Sequence, residues 1–337
     1  MHQVLHGWGQ HLAFEGELRS YVAAVGHEPA IVSDYMDLLL VDGPTPEWEQ
    51  ECRRRLERGD DALAKGLQFT GQIAQLVESL NTTPARFAEF RTRTRKAYLP
   101  LIGVMWWGSN DEAIAAGRHD REICRLAGQV KACGFTVYLR PGFEFGPYGC
   151  MEAMTGMVSR KHYVAMFRRF ARFFREQGAG NVQWVWNAVG VESFDYWMDY
   201  YPGDECVDWF GINLFSRRQI DGSGRFLEEA ARRGKPVMIC ESAPALEGGT
   251  SHPDVRERFF VPYFRLIADH AQIQAFVYIN MDWSALPGGP FQDWPDSRVQ
   301  SSPAALEAYR QALAGPLFVH MAPAGAEIPS TKYQGPS

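Results

Sequence analysis

The chain has 337 residues, of which 46% are apolar and 22% are charged, an ordinary balance for a globular protein. Its formal net charge at pH 7 is -6. Electrostatics therefore give no basis for binding nucleic acid or an anionic membrane, and we expect neither as a partner. No run of apolar residues approaches the roughly 18 that a membrane-spanning helix needs. Composition and net charge therefore argue against these classes of partner, and the activity has to be inferred from sequence motifs.

The six cysteines are scattered along the chain, without a CxxC pair or a Cys/His cluster of zinc-finger spacing. This pattern argues against a structural zinc site, and scattered cysteines in a chain of this size are more often buried thiols than disulfides. No targeting signal is evident, since Met1-His2 runs directly into a strand-like segment. The compartment stays open: cytoplasmic as the chain stands, or secreted if a signal peptide was removed. The oligomeric state is not readable from the sequence either.

Short β-branched or aromatic runs alternate with longer amphipathic stretches along the chain. The runs predict eight strands: Val4–Trp8, Ala30–Tyr35, Leu99–Trp106, Thr136–Arg140, Val182–Trp186, Val207–Ile212, Val237–Cys240 and Ala275–Ile279. The longer stretches predict helices, among them Arg118–Cys133, Arg160–Gln177, Gly224–Arg233 and Asp254–His270. Eight strands that each lead into a helix predict an α/β fold of the (β/α)8 TIM-barrel type. The alternative, an open doubly wound sheet, would need a glycine-rich GxGxxG turn, and Gly7-Trp8-Gly9 lacks the third glycine.

A single barrel domain is predicted over residues 1–315, followed by an irregular C-terminal tail over residues 316–337 that is rich in Pro, Ala, Gly and Ser. The connection between the second and third strands is unusually long. It predicts a helical insertion with an extra pair of helices at Pro46–Lys65 and Gln72–Leu80, and a third helical stretch at Pro84–Lys96.

Two glutamates stand at the ends of predicted strands. Glu144 follows the fourth strand and Glu241 ends the seventh. The carboxyl ends of all barrel strands lie on one face, where barrel enzymes carry their active sites. Two carboxyls about 5–5.5 Å apart can flank one glycosidic bond, one protonating the leaving oxygen while the other attacks the anomeric carbon. Arg140, four residues before Glu144, is a candidate ligand that would keep the attacking carboxylate ionised.

Several runs of sequence resemble a known family. These runs are LRPGFE at Leu139–Glu144, YPGDECVDWFGIN at Tyr201–Asn213, KPVMICESAP at Lys235–Pro244 and MDW at Met281–Trp283. Glutamates that end strands four and seven are typical of clan A glycoside hydrolases, and within the clan the sequence resembles family 26, the β-mannanase-like branch. The matches cover about residues 135–285 in the same order and spacing.

The resemblance implies a retaining glycoside hydrolase that cleaves a β-linked oligosaccharide or polysaccharide, with Glu144 as acid/base and Glu241 as nucleophile. No metal or organic cofactor is implied, because two carboxylates and a water molecule suffice. The sequence departs from the family at Phe143, where a histidine is usual. It also departs at Asn213-Leu214-Phe215, where a tyrosine commonly follows strand six. Both changes remove polar groups from around the two glutamates, so the mechanism carries over while mannan is not favoured as the substrate.

Aromatic and polar residues at strand ends are candidates for binding sugar, because indole rings stack on the C–H face of pyranoses and amides bind hydroxyls. The aromatic candidates are Trp8, Trp107, Trp186, Trp283 and Tyr148. The polar candidates are Asn187, Asn213 and Asp37. For each of them, packing or a solvated position on the rim is the structural alternative.

Two other functions remain open at this point. The two departures from the family pattern would also suit a carbohydrate-binding barrel that has lost turnover. A metal-assisted barrel hydrolase would call for ligands such as an HxH pair on the first strand, which offers only His6. Asp204-Glu205 precedes the sixth strand, and we therefore expect this carboxylate pair at the opposite end of the barrel in a structural role.

Overall fold

The computed structural model of the protein describes residues 2–9, 15–43, 45–57, 81–106, 109, 111–146, 159–192, 195–285 and 294–321. The strands are β1 (Val4–Gly9), β2 (Ile31–Asp37), β3 (Leu99–Met105), β4 (Val137–Pro141), β5 (Val182–Ala188), β6 (Trp209–Leu214), β7 (Val237–Ser242), β8 (Ile273–Ile279) and β9 (Phe318–Val319). The α-helices are α1 (Glu15–Val25), α2 (Pro46–Glu57), α3 (Pro84–Thr94), α4 (Asp111–Ala115), α5 (Asp120–Cys133), α6 (Arg160–Gln177), α7 (Arg217–Asp221), α8 (Gly224–Arg232), α9 (Val261–Asp269) and α10 (Pro303–Leu313). In the described part of the chain, no helix has the length and apolar character to cross a membrane.

Strands β1 to β8 form a closed parallel barrel. Each strand pairs with the next in chain order, β8 pairs with β1, and β1 pairs with β2 to close the ring. The prediction of a (β/α)8 barrel is confirmed, and each predicted strand lies within a few residues of an observed one. Parallel strands bring all their carboxyl ends to one face, which fixes where residues after each strand must lie.

The structure refines three of the predicted segments. The helix predicted at Asp254–His270 is a π-helical turn (Arg256–Phe260) followed by α9, and Pro262, which has no N–H to donate to the preceding turn, lies at this junction. In the insertion, α2 and α3 match the first and third predicted helices. Gln72–Leu80, and the part of the first predicted helix beyond residue 57, lie outside the described residues.

The first residues of the predicted irregular tail form a strand instead. In β9, Phe318 and Val319 pair with Val4 and Leu5 of β1. β1 begins to pair with β2 only at Gly7, so one edge of its first residues is available to another strand. Exposed backbone groups of this kind favour the addition of a strand. Residues 322–337 lie outside the described part.

The barrel separates two apolar layers. Side chains of alternating parity point into the lumen and form an inner cluster: Leu5, Ile31, Leu101, Tyr138, Val185, Trp209, Met238, Cys240, Ala275 and Val277. The opposite parity packs outward against the helices in a much larger cluster. Toward the carboxyl ends of the strands, buried polar side chains include Ser33, Arg140, Asn187, Asn213 and Glu241. Buried polar groups need partners, so this end of the lumen is the candidate site.

Close packing in the lumen makes a test of the barrel possible. A Cβ at Gly7 would lie 2.7 Å from the Phe276 carbonyl oxygen and 2.8 Å from a Val277 methyl group, so Gly7→Ala should lower the free energy of unfolding by about 1–3 kcal/mol. As a control, Gly128→Ala adds the same methyl group to an exposed position of α5 with open space around it. This variant should raise stability by about 0.5–1 kcal/mol. Chemical denaturation measures both, and equal effects would contradict the packing described.

Candidate active site

Glu241 lies at the carboxyl end of β7 and is only 5% exposed. Arg140, on β4, is fully buried and donates from Nη1 to Glu241 Oε1 over 2.5 Å. The Tyr35 hydroxyl, on β2, donates to the same oxygen over 2.9 Å. The predicted ion pair between Arg140 and Glu241 is therefore present, and Tyr35 is a second donor that the sequence did not reveal.

An irregularity in the sheet turns Glu241 into the lumen. On β7, Met238 and Cys240 already face inward, so regular alternation would direct residue 241 outward. The pairing of β6 with β7 shifts at this point: Ile212 pairs with Ile239, and Asn213 pairs with Glu241, with one extra residue on β7. A bulge of this kind re-aims the next side chain, and here it brings the Glu241 carboxylate beside Arg140.

The charge of Arg140 is held in an apolar surrounding. The Phe143 ring lies over its guanidinium at 4.6 Å, and the Tyr35 ring lies at 5.2 Å. A Cβ at Gly103 would come within 2.7 Å of Tyr35 and 2.8 Å of Phe143, so only glycine leaves room for both rings. Phe143, the residue that departs from the family pattern, therefore stacks on the cation that binds Glu241.

Burial and charge set the protonation states of the two donors. Burial by itself lowers the pKa of Arg140, but the charge and hydrogen bond of Glu241, together with Tyr35 and Cys240, outweigh burial, and the pKa is raised above its ordinary value. Burial raises the pKa of Tyr35 well above its ordinary value, and the charge of Glu241 raises it further. Arg140 therefore stays cationic and Tyr35 stays a hydroxyl donor at neutral pH, so both can donate hydrogen bonds to Glu241.

Glu144 stands on the turn that follows β4. Its φ of 57° lies in the left-handed region, which is uncommon outside glycine and costs on the order of 1–3 kcal/mol. Neighbouring contacts hold this backbone: Phe145 N–H donates to the Asn187 carbonyl, and Val189 N–H donates to the Phe145 carbonyl, each over 3.3 Å. The turn is thereby fixed to the end of β5. Asn213 Nδ2 donates to Glu144 Oε1 over 2.6 Å.

A continuous chain of hydrogen bonds joins the two glutamates. Arg140 Nη1, which binds Glu241, also donates to Asn187 Oδ1 over 2.9 Å. Asn187 Nδ2 donates to Asn213 Oδ1 over 3.1 Å, and Asn213 in turn binds Glu144. The structure therefore brings together Glu144, Glu241, Arg140, Asn187 and Asn213, as the sequence predicted. The two amides serve to connect the glutamates in this structure.

The structure contradicts the predicted sugar-stacking role of Trp8 and Trp186. Both indoles point away from the lumen into the outer core. Trp186 is fully buried, stacks on Phe145 with ring centroids 4.7 Å apart, and donates from Nε1 to the Tyr200 carbonyl over 3.1 Å. The physical reason is strand parity. Asn187 points inward, so its neighbour Trp186 must point outward.

Asp37 and Trp283 lie at strand ends, but both are buried. Asp37 accepts from the Leu39 N–H over 2.8 Å and caps the short 3-10 helix Leu38–Leu40, a structural role in place of the predicted contact with a hydroxyl. Trp283 is 3% exposed and packs edge-on against half-buried Trp294, with ring centroids 5.2 Å apart. Trp107 and Tyr148 lie outside the described residues.

Trp294 is an aromatic residue of this face that sequence reasoning missed. Its ring packs against Phe215 at 4.9 Å, in an apolar cluster that includes Ala243, two residues after Glu241. The last described strand before Trp294 is β8, which ends at Ile279, so the strand-end criterion did not point to Trp294. Phe215 therefore contributes apolar surface where the family has a polar group.

The carboxylate pair Asp204-Glu205 has the structural role that the sequence predicted for it. Asp204 accepts from Arg233 over 3.0 Å and from the Tyr201 hydroxyl over 2.6 Å. It lies in the short 3-10 helix Asp204–Cys206, ahead of β6. Across the described ranges, no three His, Cys, Asp or Glu side chains are grouped in a way that could hold a metal ion.

Sequence comparison finds relatives among glycoside hydrolases, although no protein-family model matches the chain. A β-1,3-xylanase from Alcaligenes sp. is 26% identical over 331 residues, which are 90% of this chain and 62% of that protein. The β-1,3-xylanase TXYA from Vibrio sp. is 23% identical over 330 residues, 90% of this chain and 63% of that protein. Endoglucanase H from Acetivibrio thermocellus is 29% identical over 231 residues, 63% of this chain and 24% of that protein. The chain thus spans less than two thirds of each relative.

Solved structures with the same fold include a GH26 β-mannanase from Bacteroides ovatus, with a TM-score of 0.58 and 13% identity over 95% of this chain and 90% of that chain. GH26C from Muricauda sp. has a TM-score of 0.59 and 12% identity over 99% of this chain and 90% of that chain. At these identities the likeness concerns the fold. The predicted resemblance to family 26 is therefore confirmed for the fold.

The buried pair predicts a large loss of stability when its cation is removed. Arg140→Met should lower the free energy of unfolding by about 3–5 kcal/mol, because it leaves the Glu241 charge buried without its cation. The control Arg217→Met breaks the exposed pair with Asp221 and should cost less than about 1 kcal/mol. Adding Glu241→Gln to Arg140→Met should recover part of the loss. Equal losses in the two single variants, measured by chemical denaturation, would contradict a buried ion pair.

Proposed function

We propose that this protein is a retaining glycoside hydrolase that cleaves β-linked oligosaccharides or polysaccharides by a two-glutamate mechanism. One observation carries the proposal: two glutamates from β4 and β7 meet one hydrogen-bonded network at the mouth of the barrel, in different surroundings. Glu241 is buried on a strand and binds a cation and a hydroxyl donor, whereas Glu144 is half-buried on a turn and accepts from the Asn213 amide. Retaining hydrolysis needs this kind of asymmetry, because one group must attack as a carboxylate while the other gives up a proton.

Glu241 is the nucleophile in this proposal. Arg140 and Tyr35 both donate to Oε1, so Oε2 is the oxygen that attacks the anomeric carbon. As the bond to Oε2 forms, the glycosidic C–O bond breaks and a covalent glycosyl-enzyme results. Arg140 also keeps Glu241 a stable leaving group for the second step, in which water releases the sugar.

Glu144 is the acid/base. It gives its proton to the departing glycosidic oxygen in the first step, and in the second step it takes a proton from the attacking water. The network from Asn213 through Asn187 to Arg140 ties its position to that of Glu241. Fixing the two carboxyls relative to each other is what a double displacement requires of the protein.

The relatives support a β-linked glycan as the substrate class, but their names give different glycans. Two relatives that match 90% of this chain are β-1,3-xylanases, and a shorter match is a mannan endo-1,4-β-mannosidase from Bacillus subtilis. Phe143 and Phe215 make the surroundings of the network more apolar than the family pattern, which argues against copying mannan specificity. β-1,3-Xylan is therefore the first polysaccharide to test.

Substitution of the glutamates tests the assignment of roles. On a β-glycan that the protein cleaves, Glu241→Ala should lower kcat by about 10⁴-fold or more. Glu144→Ala should lower kcat by about 10²–10⁴-fold. The loss should be smallest on a substrate whose leaving group needs no proton. Glu205→Gln, at an exposed acid before β6, is the matched control and should leave kcat unchanged. Near-wild-type hydrolysis by Glu241→Ala would remove Glu241 from the mechanism.

Covalent trapping tests the retaining step directly. Activated 2-fluoro-glycosides of xylo, gluco, manno, galacto and arabino configuration should include one that leaves a fluorosugar on the peptide containing Glu241, as seen by mass spectrometry. The sugar that is trapped identifies the glycone. If no adduct forms and no glycan is cleaved, while calorimetry detects oligosaccharide binding, the protein is a carbohydrate-binding barrel and the proposal fails.

A further inference from the structure

Asp111 is a buried carboxyl that the proposed chemistry does not use. It begins the short helix α4, just after β3, and is 5% exposed. Its Oδ1 accepts from the Trp106 indole N–H over 3.1 Å. Its Oδ2 is buried and has no hydrogen-bond partner within the described residues. A buried carboxylate with one neutral donor is costly, so the group needs an explanation.

None of the described groups around Asp111 provides it with a cation. Tyr163, on α6, has its pKa raised mostly by its own burial. It also lies close enough to Asp111 for a charge there to raise that pKa further. The Tyr163 hydroxyl is itself buried with no hydrogen-bond partner among described residues, and Tyr200 packs behind its ring at 5.7 Å. Arg169 also reaches α4 from α6, but it donates to the Ala115 carbonyl and forms its ion pair with Asp120.

The described polar groups that are nearest to Asp111 in sequence are also engaged elsewhere or exposed. The His119 ring bonds the Ser109 hydroxyl at 2.7 Å, and Glu112 is exposed on the surface of α4. Burial therefore dominates, and it raises the pKa of Asp111 to about 7, although the bond from Trp106 lowers it somewhat. The carboxyl therefore changes charge near neutral pH.

The two aromatic residues beside Asp111 also support the turn that carries Glu144. A Cβ at Gly142 would lie 3.1 Å from the Tyr163 ring and 3.2 Å from the Trp106 ring, so the turn rests closely on both. Gly142 has a φ of 59°, and Glu144 follows with a φ of 57°. Tyr163 also packs against Phe145, with ring centroids 5.2 Å apart. Gly142 and Phe145, on either side of Glu144, thus both contact Tyr163, and Gly142 also contacts Trp106, which binds Asp111.

We propose that Asp111 is a positioning residue for Glu144, whose neutral carboxyl keeps Trp106 and Tyr163 packed beneath the turn from Gly142 to Phe145. The inference rests on the proposed function, in which Glu144 is the acid/base. Ionisation places an uncompensated charge between these rings. The charge is relieved by admitting water or by moving Asp111 toward solvent, and either change withdraws support from the strained turn.

The direction of the pH dependence follows from the raised pKa. Below pH 7 Asp111 is mostly neutral and the turn is supported; as the pH rises through about 7, the support is lost. If the neutral form alone is active, this group makes kcat/KM about tenfold lower at pH 8 than at pH 6. Other ionisations also contribute to the pH profile of kcat/KM, so the test compares variants.

The experiment measures the ratio of kcat/KM at pH 6 to that at pH 8 in three proteins. Asp111→Asn keeps the acceptor for Trp106 and removes the ionisation, so its ratio should be several-fold smaller than that of the wild type. Glu112→Gln, the exposed neighbour on α4, makes the same change of charge and should keep the wild-type ratio. Equal ratios in all three proteins would overturn the positioning role while leaving the proposed hydrolysis intact.

A second measurement needs neither a variant nor turnover. In the NMR spectrum of the wild-type protein, the Trp106 indole N–H and the Gly142 and Phe145 amides should shift with one common midpoint near pH 7. The proposal is overturned if the Trp106 resonance titrates while the Gly142 and Phe145 amides do not shift. It is also overturned if the Trp106 resonance shows no midpoint near pH 7. If the proposed function alone is wrong, the common titration is still observed and no β-glycan is cleaved.

Discussion

The buried ion pair between Arg140 and Glu241 is the contact on which the mouth of the barrel depends. A guanidinium and a carboxylate can remain in an apolar lumen only when each is matched to the other and their remaining groups find partners. Most groups of the pair have such partners: the Tyr35 hydroxyl, the Asn187 amide and the Ser33 hydroxyl, the last at 3.3 Å from Arg140 Nη2. Arg140 Nε is buried and has no hydrogen-bond partner among the described residues. The bulge on β7 makes the pairing geometrically possible, because without it the Glu241 side chain would face the outer core.

The same network gives the two glutamates different chemistry. Glu241 is fixed by charge on a strand, whereas Glu144 stands on a turn of left-handed backbone that depends on what lies beneath it. Backbone strain persists only where the surroundings hold it, and here the turn is held by its hydrogen bonds to the end of β5 and by packing on Trp106 and Tyr163. In the proposed mechanism Glu144 is therefore the glutamate whose backbone depends on packing, and we infer that this packing couples it to Asp111, a group outside the network.

Much of this site could be predicted from the sequence, because the barrel repeat places strand ends on one face and motif order identifies the strands. Glu144, Glu241 and Arg140 followed from that argument. Side-chain direction did not follow, since the parity of a strand is set by register and bulges, which are tertiary features. Trp186 was wrongly assigned to sugar binding for this reason, and Tyr35 was missed although it shares the inward parity of its strand. The strand at Phe318–Val319 likewise depends on an open edge of β1 that only the folded barrel creates.

The stereochemical course of hydrolysis is the most direct test of double displacement through Glu241. Proton NMR, recorded within the first minutes of cleavage of a β-linked oligosaccharide, distinguishes the anomer that the protein releases from the one formed later by mutarotation. Double displacement through Glu241 inverts the anomeric carbon twice, so the β-anomer should appear first. Initial release of the α-anomer would mean a single displacement by water, and would contradict Glu241 as nucleophile and the account of the ion pair that prepares it.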